Sequence, residues 1–117
     1  MTLPHGELLV FAKKVLISRE DYVVVECVFP SVPTLAMFLE AAAQCTAGFN
    51  SKQDVKMGFL TMGKDIQRLA SIVKRDYQFK VFKSVNIAAY YQFYFEASCK
   101  ETGLKVVSGS FTLQIEV

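Results

Sequence analysis

Tryptophan is absent from this 117-residue sequence, histidine occurs once, proline three times and glycine six times. With His5 as the sole imidazole, a Ser-His-Asp triad, a two-histidine metal site and an HExxH helix are excluded or badly impoverished. Gly58 and Gly63 stand apart from other glycines, so no phosphate-cradling loop is present. The three cysteines (Cys27, Cys45 and Cys99) are far apart and lack metal-ligand spacing. An odd number of them fits reduced, buried thiols in a cytoplasmic protein. Neither a metal nor a cofactor is implied. No run approaches the roughly eighteen apolar residues of a membrane helix. The opening Met-Thr-Leu-Pro-His-Gly has no basic segment before an apolar one, so no secretory signal is expected. A net charge of +2 gives no reason to expect nucleic-acid binding.

What is present is apolar. Hydrophobic residues make up 52% of the chain, with ten Phe and five Tyr, against 21% charged residues. That balance excludes a disordered chain, and the length fits a single domain over residues 1–117. It is also generous for a monomer of this size. The basic residues Lys64, Arg68, Lys74, Arg75, Lys80 and Lys83 face only Asp65 and Asp76 within one stretch. Such a segment reads either as a solvated strand face or as a landing surface for an anionic partner.

Leu8 to Ser18 and Tyr22 to Phe29 are apolar, the second rich in β-branched and aromatic residues. With Arg19-Glu20-Asp21 between them they predict a hairpin. Pro30-Ser31-Val32-Pro33 stops the pairing. From Thr34, the residues Leu35, Phe38, Leu39, Ala42 and Thr46 predict a helix with one apolar stripe, ending near Gly48. Its many alanines suit a buried helix. Strands are expected over 57–69, 76–87, 90–99 and 104–117. Tyr91, Phe93 and Phe95 fall on one face of the third of these, and Lys100-Glu101-Thr102-Gly103 makes the turn after it. The order implies an α+β fold: a long helix wrapped by a five- to six-stranded antiparallel sheet. The exposed edges of such a sheet, with the aromatic surplus, point to a dimer.

Leu3-Pro4-His5, Phe29-Pro30 and the helical Leu39-Glu40-Ala41-Ala42-Ala43-Gln44 together resemble the hotdog-fold β-hydroxyacyl-acyl carrier protein dehydratases. Gly58-Phe59-Leu60-Thr61-Met62-Gly63 looks like the Gly-Phe-Leu segment of a dehydratase-like branch linked to aryl-polyene and related acyl-chain pathways. With the strand order, the resemblance covers nearly the whole chain. It implies an acyl thioester on acyl carrier protein or coenzyme A, held beside the central helix at a dimer interface. It also implies a histidine of one subunit working with a helix carboxylate of the other. The base takes the proton alpha to the thioester carbonyl, and the acid protonates the departing 3-hydroxyl.

The sequence departs from that pattern at Val28, which stands before Phe29-Pro30 where the family has histidine. The resemblance leaves Glu40 and Gln44 as the catalytic candidates, Met37, Phe59 and Leu60 as substrate-lining residues, and Arg68, Lys74 and Arg75 as the carrier-docking residues. Alanines and Met37 around Glu40 would desolvate it, which suits a base; Gln44 would orient Glu40 or bind the thioester carbonyl. His5 reads as a structural residue near the start of the chain. Three functions follow. One is a dehydratase-like subunit of fatty-acid or polyene-type biosynthesis that borrows its histidine from a paralogous partner. The second is a thioesterase using Glu40, and the third a non-catalytic acyl-thioester binder or structural subunit.

Overall fold

The computed structural model describes residues 11–49, 58–87 and 90–115. Six strands form one antiparallel sheet, with a single α-helix laid across one face. The hairpin is β1 (Ala12–Ser18) and β2 (Tyr22–Val28). The helix α1 (Leu35–Cys45) follows, then a 3-10 turn over Thr46–Phe49. Four long strands complete the chain: β3 (Gly58–Arg68), β4 (Asp76–Ile87), β5 (Tyr90–Cys99) and β6 (Lys105–Ile115). The sheet order is β1-β2-β4-β5-β6-β3, so the strand entered after the helix crosses to the far edge and β4 returns beside β2.

The helix starts where its residues can cap it. Thr34 has extended backbone, and its hydroxyl accepts the Met37 N–H at 3.2 Å, satisfying one of the first-turn donors. It ends earlier than the expected stop at Gly48. The Thr46 hydroxyl donates to the Ala43 carbonyl at 2.6 Å, while its N–H reaches Ala43 and Gln44, which tightens the chain into the 3-10 turn. Gly48 falls inside that turn. It permits close approach instead: a Cβ there would lie 3.3 Å from Val15.

The buried stripe is also rotated from the expected one. Phe38, Ala41, Ala42 and Cys45 face the sheet, whereas Leu35 is exposed. The sheet supplies the reason. Its concave face presents large rings from β4, β5 and β6, and only one large helix side chain, Phe38, fits among them. Phe38 lies 5.0 Å from Tyr77 and 5.8 Å from Phe79, centroid to centroid. The ring series continues through Phe95 to Phe111. The predicted alternation of β5 is observed, with Phe93 and Phe95 buried and Tyr94 outward. Gly103 takes the left-handed conformation (φ 79°) in the β5–β6 turn. The expected start of the first strand at Leu8 lies outside the described residues, as does His5.

Edge strand β3 is irregular. Asp65 has φ 56°, and the pairing with β6 shifts register between Lys64 and Gln67. This bulge turns Ile66 onto Gly109 of β6, where a Cβ would meet the Ile66 backbone at 3.1 Å.

Candidate functional site

The helix offers three sides besides the one it buries. At about 100° per residue, Leu39 flanks the core side toward β3, where a Cβ on Gly63 would come within 2.8 Å of it. Gln44 flanks the other side, toward β1. Its Oε1 accepts the N–H groups of Phe11 at 2.7 Å and Ala12 at 3.2 Å. Directly away from the core lie Ala36 and Glu40, with Ala43 at the margin. The carboxylate of Glu40 is half-buried, with no hydrogen bond or ion pair to any described residue.

Glu40 and Gln44 are therefore on adjacent flanks, four residues apart, but the carbonyl end of Gln44 is spent on the backbone leading into β1. Met37 is half-buried against the core. Leu60 is 36% exposed on edge strand β3; the side chain of Phe59 lies outside the described set. Val28, at the end of β2, is exposed, and its N–H donates to the Phe11 carbonyl at 3.0 Å. So β1's approach is held twice, by Gln44 from the helix and by Val28 from the sheet. Sequence reasoning missed this clamp. No sequence signal pointed to it, because the groups Gln44 holds are main-chain N–H groups more than thirty residues away.

The carrier candidates lie at the end of β3 and on the segment after it. Arg68 borders one open hollow with residues 69–73; Lys74 and Arg75 border another with Val32, Asp76, Cys99, Lys100 and Glu101. Lys74 pairs with Glu101 at 3.2 Å, and the Arg75 guanidinium donates to the Pro30 carbonyl at 3.2 Å. Neither hollow includes Glu40. Two other basic residues of the same stretch of sequence lie elsewhere. Lys80 lies over the Tyr22 and Phe82 rings on the sheet's outer face, and Lys83 over Phe49.

Titratable groups are perturbed mainly away from the helix. A hydrogen bond from Lys100 lowers the Glu26 carboxyl below its ordinary range, and the same contact raises Lys100. Burial raises Tyr77, whose hydroxyl donates to the Lys74 carbonyl at 2.8 Å. Cys99 is lowered by hydrogen bonds from Thr102. Cys45 is pushed well up by burial. All three cysteines are free and buried, as expected, and no group of metal-ligating side chains occurs among the described residues. No described helix is long and apolar enough to cross a membrane.

No family model matches the sequence, and no curated protein matches it in sequence. Solved structures do match. The dehydratase heterocomplex ApeI:P from Xenorhabdus doucetiae superposes with a TM-score of 0.80 at 15% identity, covering 98% of this chain and 88% of that one. A hypothetical thioesterase from Streptococcus pneumoniae, solved with coenzyme A, gives 0.65 at 13% identity over 88% and 84%. A Streptococcus mutans protein bound to acetyl-CoA gives 0.67 at 10% identity over 88% and 87%. These similarities establish the fold: α+β, of the hotdog type.

Proposed function

We propose that this chain is a dehydratase-like hotdog subunit that binds acyl thioesters and completes its catalytic pair with a histidine from a partner chain. The observation that carries the reading is Glu40: an uncommitted carboxylate on the helix face that its own sheet leaves uncovered. A carboxylate with small neighbours along the helix, and with no ion pair to any described residue, suits a base for the proton alpha to a thioester carbonyl. The matching acid is missing at Val28, and valine transfers no proton. That the similar ApeI:P structure is a dehydratase heterocomplex supports a partner as the source of the acid.

In this reading Met37, Phe59 and Leu60 line the acyl chain, Gln44 positions the helix against β1, and Arg68, Lys74 and Arg75 receive an acidic carrier protein. That the similar Streptococcus pneumoniae structure is a hypothetical thioesterase supports a second reading, in which Glu40 serves thioester hydrolysis alone. Turnover separates the two. Incubated by itself with a 3-hydroxyacyl-carrier thioester, the chain is expected to give neither the enoyl product nor free acid. Together with a histidine-bearing hotdog subunit it is expected to dehydrate the substrate. Dehydration by the isolated chain at the rate of the mixture contradicts the borrowed acid; hydrolysis by the isolated chain supports the thioesterase.

A further inference from the structure

Cys27 and Cys45 place their sulfurs 3.6 Å apart in the core, one near the end of β2, beside edge strand β1, and the other on the last residue of α1. Both side chains are sealed, at 0% and 1% exposure. The proposed thioester chemistry uses neither. We propose that Cys27 and Cys45 are a disulfide-forming pair, which a hydroperoxide oxidises to tie the C-terminal end of α1 to β2.

A disulfide needs the sulfurs at about 2.05 Å, so they must close by about 1.5 Å. The contact already joins the two thiols directly, with either able to donate its hydrogen to the other. In the first step, which requires local opening of the sealed helix end to admit the peroxide, one thiol sulfur takes the terminal peroxide oxygen. The O–O bond breaks, an alcohol or water leaves, and a sulfenic acid forms. In the second, the neighbouring sulfur attacks the sulfenic sulfur. The S–O bond breaks, the S–S bond forms, and water departs with the second thiol's proton. Two electrons pass from the two thiols to the peroxide.

Burial holds Cys45 in its thiol form, so the reaction is slow at neutral pH and accelerates as pH rises. Cys99, lowered by Thr102, is the more easily ionised thiol. Proximity to a second sulfur, rather than thiol acidity, is what selects Cys27 and Cys45. The cross-link would join residues 18 apart in sequence. It would also fix the helix end next to Gln44, whose Oε1 holds the backbone leading into β1.

The test uses the full reduced chain treated with hydrogen peroxide, followed by non-reducing intact mass and peptide mapping. The expected result is the loss of two hydrogens and a Cys27–Cys45 cross-linked peptide, retained in Cys99→Ser and absent in Cys27→Ala. The oxidised chain should melt roughly 10 °C higher, as the loop-closure entropy of a cross-link of this span predicts. Mapping of the unsubstituted chain stands even where Cys27→Ala folds poorly. Three thiols still titratable in denaturant after treatment would overturn the proposal. So would oxidation that stops at oxygen addition, or a cross-link that involves Cys99.

Discussion

Gly109 does what no other residue type does at its position in β6. Across it lies Ile66, turned inward by the left-handed Asp65, and a Cβ at 109 would strike Ile66 at both its backbone and its side-chain end. The Ile66 side-chain end, at 2.3 Å, would have to move aside, and its backbone, at 3.1 Å, would have to give by a few tenths of an ångström. Gly109→Ala should therefore destabilise the fold by about 1–3 kcal/mol, the usual range for overpacking, as checked by urea denaturation. The paired Ile66→Ala should recover part of that loss. Gly109 had no sequence signal of its own, since only the bulge in the neighbouring strand gives it a task. Glu40 stood out as a candidate by contrast, because its place in Leu-Glu-Ala-Ala-Ala-Gln marks it whatever the packing. The role of Gln44 was not: its partners are main-chain N–H groups more than thirty residues away, and any residue type would present those.

At the scale of elements, strand periodicity was the strongest signal. The alternation in β5 and the turn at Gly103 follow from local chemistry, and both appear as read. The helix was harder, because an alanine-rich segment has weak amphipathic contrast. Several rotations bury similar area, and the sheet's rings chose the one that places Phe38 inward. Elements are also joined by charge. Lys100, after β5, bonds Glu26 of β2 and depresses its carboxyl. A depressed carboxyl contributes stability above its unfolded value, and that contribution is lost as pH falls through the folded value. Lys100→Ala should thus be less stable than the parent at neutral pH. The difference should shrink as pH falls through the carboxylate range and vanish once Glu26 is protonated in both. Thermal melts across pH 2 to 7, spanning the ordinary carboxylate values near pH 4, check this; a constant offset at all pH values would show that Lys100 acts through packing instead.

Among the described residues, the molecule is a helix covered by its sheet on one side. Its sheet satisfies the core side through the ring series from Phe29 to Phe111, while Ala36 and Glu40 face away. Val15, Leu16 and Ile17 on edge strand β1, and Leu60 and Met62 on edge strand β3, are likewise exposed. The apolar surplus that the composition carries thus divides between a dense one-sided core and exposed apolar residues on the two edge strands. The α+β architecture was legible because strand and helix periods differ sharply. What the proposed partner would add was not, because one chain's sequence shows a candidate carboxylate but not the group proposed to meet it. In the complex of this chain with a histidine-bearing hotdog subunit, the decisive quantity is the dehydration kcat of Glu40→Gln. Glu40 holds no described residue, so melting should stay within about 0.5 kcal/mol of the parent. A fall in kcat of roughly 10²–10⁴-fold with that stability intact is the predicted result. An unchanged kcat would contradict the account.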